Sequence, residues 1–185
     1  NIYILLATFI AGGSMLAYLI IYVPRFDYIQ GRIFSFFNRE TGTHNFQSDK
    51  AIESITSGGF FGKGIGEGVL KNRVPEAHTD YIISVISEEF GVVAIMLILL
   101  LFLILIYMVF KKISFETNDK AKLILIGSIS LILMQATIHV GVNIRLFPTT
   151  GMTLPFLSYG GSSIISTSIL GLSLIHISEP TRLRR

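Results

Sequence analysis

His78 and Asp80 stand two residues apart in the stretch Pro75-Glu76-Ala77-His78-Thr79-Asp80-Tyr81-Ile82. Both side chains can carry a proton to or from a substrate. A short distance further on, from Gly91 to Phe110, come twenty consecutive residues without a charge. At about 1.5 Å per residue such a run covers the roughly 30 Å hydrocarbon core of a bilayer. A carboxylate beside a membrane-spanning segment is costly to desolvate and reads as a functional residue. As a general base, Asp80 needs a pKa above the roughly 3.9 of a free aspartate, and partial desolvation at a bilayer edge pushes it that way. Thr79 or Asp80 would also serve as the N-cap of the helix that follows, and the two roles are compatible. The chemistry suggested is proton transfer at a membrane surface, on a lipid-borne substrate.

Further candidates lie on either side. His78 could relay protons, contact substrate or bind metal, but it lacks partners at metal-ligand spacing. The glycine-rich run Gly58-Gly59-Phe60-Phe61-Gly62-Lys63-Gly64-Ile65-Gly66-Glu67-Gly68 is not a Walker loop, because Ser57 precedes Gly62 by five residues and no Ser or Thr follows Lys63. Its backbone N–H groups could form an anion-binding nest with Lys63 nearby, or the run could be a flexible or tightly turning loop. Between Pro148 and Ser163, two prolines, three glycines and several hydroxyls rule out a uniform spanning helix. This stretch reads as re-entrant or closely docked, with its hydroxyls and N–H groups facing a polar site. Arg145 could meet an anionic headgroup, or simply snorkel to the interface.

The elements that must position these groups are set by composition. The chain has 185 residues, 51% of them hydrophobic and only 15% charged, against roughly 25% charged in a soluble domain. A formal charge of +3 is too small and dispersed to suggest nucleic acid. The absence of Cys excludes disulfides and thiolate chemistry. Asn1 opens directly into apolar sequence without a basic leader, as expected of an internal piece of something longer. The expected fold is an all-α polytopic membrane protein: four transmembrane helices of a larger bundle, with a large external loop.

The spans are residues 1–23, 81–110 with its N-terminal extension, 123–145 and 162–177. Residues 24–80 form the large loop, with a short amphipathic helix opening at Ser48 and carrying Ile52 and Ile55. Residues 111–122 hold Lys111, Lys112, Lys120 and Lys122 and are expected in the cytoplasm. That places 24–80 and the 146–161 connection outside. Residues 178–185 read as a non-native tail. If helix runs unbroken from Asp80 to Phe110, it is about 46 Å long and overshoots the hydrocarbon. Glu88 then lies about 80° around from Asp80 and Glu89 about 180°, so they cannot both face one site; one could pair with a basic group while the other faces the headgroups, or both could be interfacial anchors.

Three stretches together resemble the SEDS family (shape, elongation, division and sporulation). They are Phe61-Gly62-Lys63-Gly64-Ile65-Gly66-Glu67-Gly68-Val69; then Pro75 to Tyr81 leading into Ser87-Glu88-Glu89-Phe90-Gly91; and Pro148-Thr149-Thr150-Gly151-Met152-Thr153-Leu154-Pro155-Phe156-Leu157-Ser158-Tyr159-Gly160-Gly161-Ser162-Ser163. The wording of these motifs is closest to the division branch. The resemblance covers about Ile2 to Leu174 and implies a ten-helix fold, of which this chain would be the last four. It also implies polymerisation of lipid II into glycan strands during septal wall synthesis in the bacterial inner membrane, alongside a class B penicillin-binding protein and other division proteins. Asp80 matches the family's essential aspartate. His78, Thr79, Lys63, Arg145, Ser158, Tyr159, Gly160, Gly161 and Ser162 are the expected substrate-binding residues. No organic cofactor is implied; basic groups or a divalent cation such as Mg²⁺ would stabilise a leaving pyrophosphate.

The chain departs from the family's pattern at Thr150, where Lys is frequent, at His139, where Asn is common, and from about Ile175 onward. With six helices absent, the piece alone is expected to be inactive. Two other functions fit the same composition: a lipid II transporter (flippase), which would still move lipid after Asp80→Asn, and a non-catalytic division scaffold, which would recruit its partner without lipid chemistry.

Overall fold

The computed structural model describes residues 1–37, 43–69 and 76–178. Pro75 and the tail from residue 179 lie outside them. The described residues are helical or irregular, with no strand. They belong to two compact units, Asn1–Phe46 and Gln47–Arg185.

The first unit holds α1 (Ile2–Tyr22), a 3₁₀ turn (Pro24–Phe26) and α2 (Asp27–Phe37). Helix α1 is apolar throughout and buries no residue. It ends where Val23 turns extended ahead of Pro24, a residue without an N–H to continue the ladder. Helix α2 lies in a stretch that carried no helical assignment from sequence.

The second unit holds α3 (Thr43–Gly58), α4 (Ile82–Phe115), α5 (Asp119–Asn143) and α6 (Gly161–Ser178); α3 begins just before the unit boundary. Ser48 does not open α3. It lies inside the helix, buried, with its hydroxyl 3.4 Å from Tyr81 Oη. Helices α1, α4 and α5 are long and apolar enough to cross a membrane. Helix α6 has 18 residues, about 27 Å, slightly less than the roughly 30 Å hydrocarbon thickness.

Helices α4 and α5 form a hairpin. The Glu116 carboxylate accepts the N–H groups of Thr117 and Asn118, and Asn118 caps α5 by accepting the Lys120 N–H at 3.0 Å. Asp119 in the first turn of α5 suits the helix dipole. Val109, Leu125, Ile129, Ile132 and Leu174 form one apolar cluster across α4, α5 and α6. Near the other end, Ala51, Ala77, Tyr81 and Val142 join α3, the turn before α4, and α5.

Helix α4 is not the unbroken rod that length arithmetic suggested. Gly91 has φ 77 and ψ −178, and the helix breaks there. The glycine-rich loop fills the break by backbone exchange. Lys63 and Gly64 donate to the carbonyls of Glu88 and Glu89 at 2.9 and 3.0 Å, while Val92 and Val93 donate to the carbonyls of Gly59 and Phe60 at 3.0 and 3.3 Å. Groups left open by the break are thereby satisfied. The approach is so close that a Cβ on Gly62 would sit 2.2 Å from the Glu89 carbonyl oxygen. Ile83 before the break, and Ile95 and Ile98 after it, join one cluster with Ala136 and Leu154.

Candidate functional site

Asp80 lies in a tight turn. The N–H groups of Thr79, Asp80 and Tyr81 all point at the carbonyl of Glu76, at 3.1, 3.1 and 3.3 Å. Glu76 has a left-handed backbone, φ 56, which costs a non-glycine residue about 1–3 kcal/mol. Neither Thr79 nor Asp80 caps α4: its N-cap is Tyr81, with no side-chain bond. The Thr79 hydroxyl instead donates to the Glu76 carboxylate at 2.9 Å.

Two elements from the far end of the chain lock this turn. Asn143, the last residue of α5, donates its amide to the Asp80 carbonyl at 2.9 Å. The backbone N–H of Tyr159 donates to the His78 carbonyl at 3.0 Å. Gly151, at φ 71, lies close to the Asp80 carboxylate: a Cβ added there would stand 3.6 Å from Asp80 Oδ2, ordinary contact distance. The aspartate is half-buried and His78 beside it is exposed. His139, one turn below Asn143, is fully buried and faces the Thr79 backbone. His139 Nε2 and Asn143 Oδ1 are buried without a hydrogen-bond partner among the described residues; buried polar groups are ordinarily paired with protein or with ordered water.

Helix α5 ends in a Schellman-type cap, with Leu146 donating to Gly141 at 2.7 Å and Arg145 to Val142 at 3.0 Å. The cap position usually taken by glycine is Arg145, at φ 59. The connection that follows does not leave the bundle. It runs back along α5 until Thr153 meets Gln135, eight positions and about 12 Å below Asn143. There Leu154 to Ser158 form a turn in which the buried Ser158 hydroxyl accepts the Leu154 N–H at 2.8 Å. Phe156 in this turn has φ 65. With Glu76 and Arg145 it completes the set of described non-glycine residues at positive φ. Two of them are in the segments around Asp80 and the third caps the helix that holds it.

The expected substrate-binding residues fall in different places. His78, Thr79 and the backbone of Tyr159 are together at the Asp80 turn. The Tyr159 side chain is exposed. Gly160 accepts the Ile164 N–H and Gly161 opens α6, where Ser162 is exposed. Arg145 pairs with Asp49 of α3. Lys63 pairs with Glu88 at 3.4 Å.

Glu88 is not an interfacial anchor but fully buried, accepting the Val69 N–H at 3.0 Å and the Ser54 hydroxyl at 3.3 Å as well. The glycine run is likewise no open anion nest. The N–H groups of Lys63 and Gly64 are spent on α4 carbonyls, and those of Gly66 and Val69 on the carboxylates of Glu89 and Glu88. Among the described residues no three His, Asp or Glu side chains are grouped to hold a metal ion.

Gln135 and Asn143 escaped the sequence reading. Their signal was present: Gln135, His139 and Asn143 recur every fourth residue along an apolar span, hence on one face, and polar groups inside a membrane span mark function.

A half-buried carboxylate on a turn held by hydrogen bonds, beside an exposed histidine, is suited to take a proton from a bound hydroxyl. Comparison with known proteins narrows this chemistry. The family model described as Cell cycle protein, named for FtsW, RodA and SpoVE, matches residues 1–183. A probable peptidoglycan glycosyltransferase FtsW of Caulobacter vibrioides is 40% identical over 152 residues, 80% of this chain and 38% of that protein. A protein of the same description from Trichlorobacter lovleyi is 37% identical over 182 residues, 95% of this chain and 47% of that one. The Enterococcus hirae protein, again a probable peptidoglycan glycosyltransferase FtsW, is 41% identical over 131 residues, 70% of this chain and 33% of its own. A solved chain, reported under "Structural coordination of polymerization and crosslinking by a peptidoglycan synthase complex", superposes with a TM-score of 0.67 at 26% identity. The match covers 95% of this chain and 50% of that one. The chain thus spans a third to a half of the length of these relatives.

Proposed function

The chain belongs to the cell cycle protein family of FtsW, RodA and SpoVE, and on that premise we propose that it is the C-terminal part of a peptidoglycan glycosyltransferase that polymerises lipid II during septal wall synthesis. The reading extends to its setting: the last four of ten transmembrane helices in a bacterial inner membrane. The lysine-rich α4–α5 turn faces the cytoplasm and the Asp80 turn faces outward, where a class B penicillin-binding protein and other division proteins meet it. The names of the relatives, all peptidoglycan glycosyltransferases, support the reaction class.

Asp80 acts as the base. A sugar hydroxyl of one lipid II attacks the anomeric carbon of another. The new C–O bond forms as the bond to the lipid pyrophosphate breaks, with inversion, and the hydroxyl proton passes to the Asp80 carboxylate and then to water. His78 and Thr79 flank the acceptor. Arg145 and Lys63, once released from Asp49 and Glu88, are the nearest designated cations for pyrophosphate. A divalent cation, where one takes part, is shared with the phosphates.

The observation that carries this reading is the grip on Asp80. Its carbonyl is held by Asn143, and the His78 carbonyl two residues before it is held by the Tyr159 N–H. So much fixing is expected of a group that must meet a reacting atom to within about an ångström, and a helix cap does not need it. The test is polymerisation of labelled lipid II by the full-length protein with its cognate penicillin-binding partner, numbered as here, comparing wild type with Asp80→Asn. Polymer that vanishes in the variant while the complex persists supports the base. Equal polymer from both removes Asp80 from the chemistry. No polymer from either, beside an active control enzyme, favours lipid transport or scaffolding.

A further inference from the structure

We propose that Gln135 is a positioning residue for this reaction: it holds the connection between α5 and α6 at the depth that places Gly151 beside the Asp80 carboxylate. The inference rests on the glycosyltransferase reading and adds a residue to it.

Gln135 lies in the middle of α5 and is half-buried. Its Nε2 is 2.9 Å from the Thr153 carbonyl, 3.2 Å from Thr153 Oγ1 and 3.3 Å from Ser163 Oγ. The two hydroxyls are themselves 2.6 Å apart. An amide nitrogen has two protons. One serves the carbonyl, and the other serves the hydroxyl pair, which passes its own hydrogen bond between Thr153 and Ser163. The clasp therefore ties three elements: α5, the connection, and the first turn of α6.

Its reach into the site is short. Thr153 is two residues from Gly151, which lies close enough to Asp80 that an added Cβ would stand 3.6 Å from its Oδ2. Asn143, two turns above Gln135 on the same face, holds the Asp80 carbonyl. One helix thus holds both the Asp80 turn and the segment beside its carboxylate. In an apolar span an unpaired amide is expensive, so Gln135 has no alternative partner to drift toward.

The test uses the full-length protein with its partner, measuring kcat and KM for lipid II polymerisation together with amide exchange in residues 149–157. Gln135→Leu is expected to lower kcat at least tenfold with KM within threefold, and to speed exchange in the connection. Because this variant takes the amide donor from the Thr153 carbonyl and from the hydroxyl pair, Gln135→Leu/Thr153→Val/Ser163→Ala, which removes the two hydroxyls, is made as well. Stability is expected to recover in part in the triple variant while kcat stays low. If kcat returns with stability, or never falls in Gln135→Leu, the positioning role is overturned and the clasp is structural. A wild type without polymerase activity would instead overturn the underlying glycosyltransferase reading, so the two failures are separable.

Discussion

Asn143 donates one amide proton to the carbonyl of Asp80 and the other to the carbonyl of His139, each at 2.9 Å. Both protons of the amide are therefore committed. The Asp80 backbone is tied to α5 whatever the protonation state of its carboxylate. As the proposed base, Asp80 would keep its place while it cycled between charged and neutral forms.

Asn143→Ala is expected to reduce polymerisation at least tenfold, with a stability loss of about 1–3 kcal/mol for the unmet Asp80 carbonyl. Polymer yield and thermal unfolding of the full-length protein check the two parts separately.

Glu88 is the buried partner in its pair, while Lys63 keeps 38% of its side chain exposed. Removing the carboxylate by Glu88→Ala strands the Val69 N–H, while the Ser54 hydroxyl keeps the Ser84 carbonyl at 3.2 Å as acceptor. A cost of about 2–4 kcal/mol is expected, below the figure for a fully buried pair because Lys63 can turn to solvent. Glu88→Gln, which keeps an acceptor, should lose less than half of that. A guanidinium melt that ranks the two variants the other way would refute the clasp.

Gly62→Ala is expected to abolish stable folding of the full-length protein. Its Cβ would sit 2.2 Å from the Glu89 carbonyl oxygen, at φ 77, where both the contact and the backbone are unfavourable. Size-exclusion profiles in detergent, with wild type beside the variant, check this.

Arg145 and Asp49 form a partly exposed pair, worth about 0–1 kcal/mol. Arg145→Ala should therefore change stability little. If Arg145 serves the pyrophosphate, the same change reduces polymerisation strongly, and the swap Asp49→Arg/Arg145→Asp does not restore it. Full activity in Arg145→Ala would remove it from the site.

What could be seen in the sequence followed from lengths of apolar sequence and from punctuation. The uncharged run from Gly91 to Phe110 and the apolar stretch before Asn143 announced α4 and α5, because hydrocarbon thickness demands such lengths. Pro24 announced the end of α1. The glycine loop was harder. A glycine that frees the backbone to bind an anion and one that lets two backbones touch look identical in sequence, and here Gly62 and Gly91 do the second.

The break at Gly91 was hidden for a related reason. Its flanks are helical on both sides, and only its partner loop, some thirty positions away, makes the break tolerable. Gln135 and Asn143 were visible as polar residues in a span, but their partners, Thr153 and Asp80, become neighbours only in three dimensions. Asp80 itself stood out because acidic residues beside a span are few.

The two grips on α5 make the helix a measuring rod whose graduations are turns. Inserting one residue between Gln135 and Asn143 would lift the upper grip by about 1.5 Å and swing it about 100° around the axis, parting Asn143 from Asp80. Inserting four would lift it about 6 Å but swing it only about 40°. Neither restores both grips, so the spacing of eight should admit substitutions within it yet refuse any change of length, although the same helix below Gln135 has no such restriction from the site.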